Sequence, residues 1–280
     1  MNVLLIDGMN FMHRARVGFN EGPHALIFNF FRNLRSIVDV LKADKVCFVL
    51  EGRPKHRYDL QESYKANRQL DKNDKNYESK LAENTEFYAD ATEVIQLLKH
   101  LPITVIKHPD FECDDVIHCL AGEFLGQGHS VVVASSDTDF TQSVQEYSST
   151  SRFSLYNPVK KEFVVAPQYD YVDWKCLRGD GTDNVPGIAG CGDKTAHKLM
   201  TVDYPELLKK YLSEKPGRQE RFDLNKSLIG FSKTPAVREY VASDGITDWD
   251  ALKNVFTTYQ FNSIINDKSW KKFVGTFEKD

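Results

Sequence analysis

Along the first 175 residues, short apolar runs alternate with longer segments whose apolar positions recur at helical spacing. The runs are VLLID (3–7), KVCFVLE (45–51), ITVIK (103–107) and SVVVASS (130–136). Between them lie ALIFNFFRNLRSIVDVLK, EFYADATEVIQLLKHL and the stretch that follows FECDD. Near-continuous apolar strands separated by helices predict a parallel sheet covered on both faces. Residues 1 to about 175 are therefore expected to form one doubly wound α/β domain with a mainly parallel central sheet. RFSLYNP and EFVVAP read as a short pair of edge strands. From 176 to 280 the pattern turns helical and glycine-punctuated, which predicts a second, smaller helical region. No internal repeat is present, so a solenoid is excluded.

The acidic positions that close these runs converge. Asp7 ends the first, Glu51 the second, and Asp137 and Asp139 follow the fourth. Open parallel sheets bind ligands beyond the carboxyl ends of their strands. Glu112, Asp114 and Asp115 open the helix after ITVIK, at the same end of the sheet by right-handed crossover. Taken alone, that triplet would be explained by helix capping, with Asp114 as N-cap. Asp180 and Asp183 in RGDGTDN repeat the spacing of Glu112 and Asp115. Carboxylates gathered at one rim repel, each close pair by about 4 kcal/mol at 4 Å and an effective dielectric of 20. Nothing nearby in sequence neutralises them all. An all-oxygen cluster suits hard cations such as Mg²⁺ or Mn²⁺, and its size suggests two ions. Two such ions serve attack on phosphate esters, so phosphoryl transfer to water is the expected chemistry. G-x-S-x-G, HExxH and P-loop motifs are absent, which leaves serine hydrolases, zincins and NTPases unsupported.

Composition narrows the substrate. The 280 residues are 41% hydrophobic and 27% charged with a net charge of −4, so overall charge does not draw the chain to polyanions. Any nucleic-acid contact must be local. Residues 53–68 carry Arg53, Lys55, Arg57, Lys65 and Arg68 against Asp59 and Glu62. If 55–68 is helical, Arg57, Gln61, Tyr64, Lys65 and Arg68 share one face, a stripe able to hold a phosphodiester while Tyr64 stacks a base. Asn76 to Glu86 reads as a mixed-charge loop. A second basic stretch runs from Leu207 to Lys226. In VPGIAGCGDKTAHKLM (185–200), Gly190 and Gly192 free backbone N–H groups at a helix start, and Lys194 and Thr195 complete a phosphate cradle. The five cysteines are scattered, which signals neither disulfides nor zinc. Without a leader or a long apolar span, a cytoplasmic location away from membranes is expected.

IDGMN, YKANR, FECDD, SSDTDF and GDGTDNVPGIAGCGDKTAHKL, in this order and spacing, resemble the structure-specific 5′ nucleases. These are the flap endonucleases and 5′-3′ exonucleases, and the likeness is strongest to the small stand-alone bacteriophage enzymes. It spans residues 1 to about 200. It implies a PIN-like, 5′-3′ exonuclease fold with a helical arch over about 53–85 that threads or clamps a free 5′ strand. It also implies a helix-three-turn-helix over about 180–200 that grips duplex DNA within the 176–280 region. By position, Asp7, Glu112, Asp114, Asp115, Asp137, Asp139, Asp180 and Asp183 match the carboxylates that bind two Mg²⁺, for which Mn²⁺ substitutes. Glu51 stands where the family usually has Asp, and is expected to serve the metals through water. Lys65 and Arg68 match catalytic arch cations near the scissile phosphate, Tyr64 the adjacent aromatic, and Arg14 a basic residue behind the first Asp. Lys175 and Lys194 match basic positions flanking Asp180 and Asp183, and Gly187, Gly190 and Gly192 match the turn, where the family often carries K⁺. The implied activity is Mg²⁺-dependent cleavage of DNA with 5′ flaps or 5′ ends and of RNA/DNA hybrids, leaving a 5′-phosphate. Its expected role is primer removal in replication, by a monomer that could meet replication proteins. The rival readings are a catalytically silent DNA-junction binder and a PIN-type ribonuclease.

Overall fold

The computed structural model describes residues 1–17 and 22–278. Among the described residues, nine strands follow in order: β1 (Asn2–Asp7), β2 (Lys45–Leu50), β3 (Ile103–Lys107), β4 (Ser130–Ala134), β5 (Phe153–Asn157), β6 (Glu162–Phe163), β7 (Gly179–Asp180), β8 (Val185–Pro186) and β9 (Val241–Asp244). The helices of the first half are α1 (Gly8–Arg16), α2 (Ala25–Leu41), α3 (Lys55–Leu60), α4 (Tyr77–Leu98), α5 (Cys113–Gly126) and α6 (Thr141–Glu146). Those of the second are α7 (Tyr171–Arg178), α8 (Asp193–Thr201), α9 (Glu206–Ser213), α10 (Arg218–Ile229), α11 (Trp249–Thr258), α12 (Asn262–Ile265) and α13 (Asp267–Phe277).

The main sheet has the order β6-β5-β4-β1-β2-β3-β9. Its five central strands run parallel, while β6 and β9 close the two edges antiparallel. In β1, Val3, Leu4, Leu5 and Ile6 are fully buried, as a strand covered on both faces requires. Each such side chain contributes about 1.5–3 kcal/mol on burial. One face is covered by α1, α2, α4 and the C-terminal helices, the other chiefly by α5. A third apolar cluster lies under α7 to α10. Because Asp7 pairs in register with Val49 and Ile6 with Ala134, the carboxyl ends of β1, β2 and β4 open at one edge of the sheet.

Three expectations are corrected. Residues 55–68 are not one helix: α3 stops at Leu60, Lys65 adopts the left-handed conformation at φ 54°, and only Ala66–Arg68 resumes a helical turn. The proposed loop at 76–86 is instead the start of α4. Residues 241–277 do not belong with the helical region that begins at 176. β9 extends the main sheet along β3, and Leu252, Phe256, Phe261, Ile264 and Phe273 share a core with Phe30, Phe31 and Phe48. Val241–Asp244 is only four residues long and exposed throughout, so it carries no buried apolar run to announce a strand.

Candidate metal centre and nucleic-acid interface

The acidic rim assembles as the strand ends predict, and neighbouring groups fix each carboxylate. Asp7 caps α1, accepting from the Asn10 N–H at 3.1 Å and from the Ser135 hydroxyl at 2.9 Å. Ser135 also accepts from the Asp137 N–H at 3.0 Å, so one buried hydroxyl ties the ends of β1 and β4. Glu51 accepts from the Cys113 N–H at 3.0 Å, which anchors the end of β2 to the start of α5. Glu112, not Asp114, occupies the N-cap of α5. Asp139 meets Lys175 and the Tyr171 hydroxyl, the latter at 3.3 Å. Glu112, Asp114, Asp139, Asp180 and Asp183 line one small cavity with Arg57 and Tyr64. Ligand atoms from Glu112, Asp114 and Asp115 lie within 4.8 Å of one another.

Four cations, three of them distant in sequence from the carboxylates they meet, neutralise part of this charge. Arg57 pairs with Glu112 and, through both terminal nitrogens, with Asp115 at 2.8 and 2.9 Å. Lys65 pairs with Glu112 and lies 3.6 Å from Asp183, which Arg68 also engages. Lys175 bridges Asp139 and Asp180, the latter at 2.7 Å. Lys65, Arg68 and Lys175 thus stand among the carboxylates. Arg57 does not face nucleic acid: it is 1% exposed, and its guanidinium also donates to the Gly230 carbonyl at 3.1 Å. Asp115 is equally sealed, its oxygens taken by Arg57 and by the Ser232 N–H at 2.7 Å. It serves here as the arginine's counter-ion, while one of its oxygens stays grouped with those of Glu112 and Asp114. Tyr64 is likewise buried, its hydroxyl donating to Glu112 or Asp183, each at 3.0 Å, so no face is free to stack a base.

Electrostatics divides the acids in two. Burial pushes the Asp7, Asp114 and Asp137 carboxyls up, the Glu51 carboxyl to about 7, with Glu112 adding to it, and the Asp139 carboxyl to about 6 despite Lys175. Burial acts in the same sense on Glu112 and Asp180, but Arg57 and Lys65 outweigh it at the first and Lys175 at the second, and both end low. Lys65 and Lys175 are held protonated by their acidic neighbours against the desolvation that opposes them. Asp7, Glu51, Asp114, Asp137 and Asp139 are therefore carboxyls whose charge the protein leaves undercompensated. Their all-oxygen donor set fits hard divalent cations.

The remaining predicted residues fall into two groups. Arg14 lines a separate groove with Arg32, Arg35 and Lys161, away from the carboxylate cavity. Between α7 and α8, Gly187 approaches the Arg178 carbonyl so closely that a Cβ would lie 2.4 Å from its oxygen, and Gly190 adopts φ 79°. Gly192 caps α8, leaving Lys194 exposed and Thr195 half-buried on its first turn. Sequence reasoning missed Ser135, Tyr171 and the Cys113 amide. Ser135 follows β4 just as Asp7 closes β1, a signal that was available; nothing local marks Tyr171.

A parallel sheet whose strand ends gather carboxylates, interleaved with fixed cations, defines an acid-lined site of the nuclease kind. Residues 2–170 match the family described as 5′-3′ exonuclease, N-terminal resolvase-like domain, and the chain belongs to that family of nucleases. It is 28% identical to DNA polymerase I of Synechocystis over 238 residues, which cover 75% of this chain and 22% of that one. To the thermostable DNA polymerase I of Thermus filiformis it is 30% identical over 210 residues, 71% of this chain and 23% of the other. The chain thus spans less than a quarter of the length of these relatives. Among solved structures, the bacteriophage T5 flap endonuclease, in a pseudo-enzyme–product complex with DNA and metal ions, shares the fold. The TM-score is 0.64, at 16% identity and full coverage of both chains.

Proposed function

We propose that this chain is a Mg²⁺-dependent structure-specific 5′ nuclease, cleaving phosphodiesters of DNA with 5′ flaps or 5′ ends and of RNA/DNA hybrids in primer removal. The observation that carries this reading is the set of undercompensated carboxylates at three parallel strand ends, with Lys65, Arg68 and Lys175 fixed among them. Asp7, Glu51, Glu112 and Asp114 would hold one ion, Asp180 and Asp183 the other, with Asp137 and Asp139 between them. Two such ions, when bound, activate water and stabilise the leaving oxygen of a phosphate ester.

The chain's own residues do the rest. Lys65 and Arg68, now paired with Glu112 and Asp183, exchange those partners for the non-bridging oxygens of the scissile phosphate. Both ends of that exchange are charge-assisted, so the cations need not leave the site. Lys175 holds Asp139 and Asp180 at a fixed separation, and Tyr171 orients Asp139. The turn from Gly187 to Gly192 and Lys194 meets the phosphates of the duplex. The test is a 5′-labelled flap incubated with Mg²⁺ or with EDTA. Short 5′ products that appear only with Mg²⁺ support the reading; a protein that binds the flap and never cuts it is the silent junction binder.

A further inference from the structure

We propose that Asn184 is a positioning residue that sets Lys65 by clasping the segment 61–67 to the loop that carries Asp180 and Asp183. This rests on the 5′ nuclease reading of the site and extends it to a residue outside the acidic set. Four hydrogen bonds to backbone carbonyls join the two segments across more than a hundred residues of chain. The Asn184 side-chain amide donates to the Ser63 carbonyl at 2.7 Å, and the Asn184 carbonyl accepts from the Gln61 amide at 2.9 Å. The Lys65 N–H donates to the Asp183 carbonyl at 2.9 Å, and the Asn67 amide to the Gly181 carbonyl at 2.7 Å.

The conformations at the clasp are unusual on both sides. Lys65 has φ 54° and Asn184 φ 58°. Asn tolerates the left-handed region through local hydrogen bonds, whereas Lys holds it only where its surroundings impose it. Between residues 61 and 68 the chain holds itself only by short turns, with the Ala66 N–H on the Ser63 carbonyl and the Arg68 N–H on the Lys65 carbonyl, and the Lys65 N–H takes its backbone partner from outside them. The loop at 181–184 supplies it. The same loop places Asp183, whose carboxylate meets Tyr64, Lys65 and Arg68. Cation and carboxylate are therefore set by one hydrogen-bonded unit, and loosening Asn184 displaces Lys65 without removing any charge.

Asn184→Gly deletes the amide while keeping the left-handed conformation accessible. Two measurements decide the proposal. In the metal-free protein, hydrogen exchange across 61–68 should accelerate at least tenfold while the sheet keeps its protection; unchanged exchange there overturns the clasp. In single-turnover cleavage of a flap, Asn184→Gly should slow the step about tenfold or more, since small misplacements of a positioned group cost that much. In a Lys65→Ala background the same change should cost less than about twofold, because residues acting through one another are not additive. A tenfold loss in both backgrounds overturns a role through Lys65. Gln61→Ala, which touches neither left-handed residue, should move exchange and rate in the same direction by less, and a Gln61→Ala protein identical to wild type in both counts against the clasp. If the wild-type protein cuts no flap at all, the nuclease reading fails, and the exchange experiment still decides the clasp.

Discussion

Arg57 and Asp115 form a two-pronged ion pair sealed from solvent: two guanidinium nitrogens lie 2.8 and 2.9 Å from the carboxylate oxygens, with the residues 1% and 0% exposed. Removing one partner strands the other charge without water. Arg57→Gln should therefore destabilise the fold by about 3–5 kcal/mol, the usual loss for breaking a buried pair. Urea unfolding checks this, and a loss below about 1 kcal/mol would show that Asp115 finds another partner or a proton.

Lys65→Ala should slow single-turnover cleavage about a hundredfold, as loss of a preorganised charge at a reacting group does. Flap affinity should change only a few fold in moderate salt, because one phosphate contact contributes little there. An unchanged single-turnover rate removes Lys65 from the chemistry.

Phe256→Ala tests the return of the C-terminal helices to the sheet. Phe256 is fully buried against Phe31, Phe261 and Phe273. Its truncation should cost about 3–5 kcal/mol and lower the unfolding transition of the whole α/β core. A separate early transition, with the sheet unaffected, would make residues 249–277 an independent appendage.

The pH dependence has a definite sign in the difference made by metal. Glu51, pushed to about 7, and Asp139, pushed to about 6, keep protons in the folded chain that the unfolded chain has already lost. Their contribution to metal-free stability is thus present at low pH and lost as pH rises toward neutrality. Glu112 and Asp180, held low, act oppositely in the acid range, and His13, His56 and His118, lowered by burial, gain stability as pH rises toward their unfolded value. Comparing Mg²⁺ with EDTA cancels the histidines. The stabilisation by Mg²⁺ should grow from about pH 5 to about pH 7.5, as binding no longer has to displace those protons. A stabilisation flat with pH would mean that Glu51 and Asp139 lie outside the metal site.

The sheet and its acidic rim were legible because both depend on local pattern. A strand buried on both faces must be apolar, and the residue that ends it must face the rim. What the sequence withheld was pairing between distant segments. Arg57 meets Asp115 across 58 positions, and no spacing rule distinguishes an arginine that reaches outward to phosphate from one that turns inward to a carboxylate. The break of the 55–68 helix has the same origin: the Lys65 N–H donates to the distant Asp183 carbonyl instead of continuing a helix. β9 escaped because an edge strand of four exposed residues needs only backbone hydrogen bonds to β3.

Manganese bound to the crystalline protein and located by its anomalous scattering tests the central claim most directly. The account predicts one Mn²⁺ among Asp7, Glu51, Glu112 and Asp114 and a second at Asp180 and Asp183, with Asp137 and Asp139 between them and Asp115 still held by Arg57. Strong Mn²⁺ peaks elsewhere and none at this rim would contradict it.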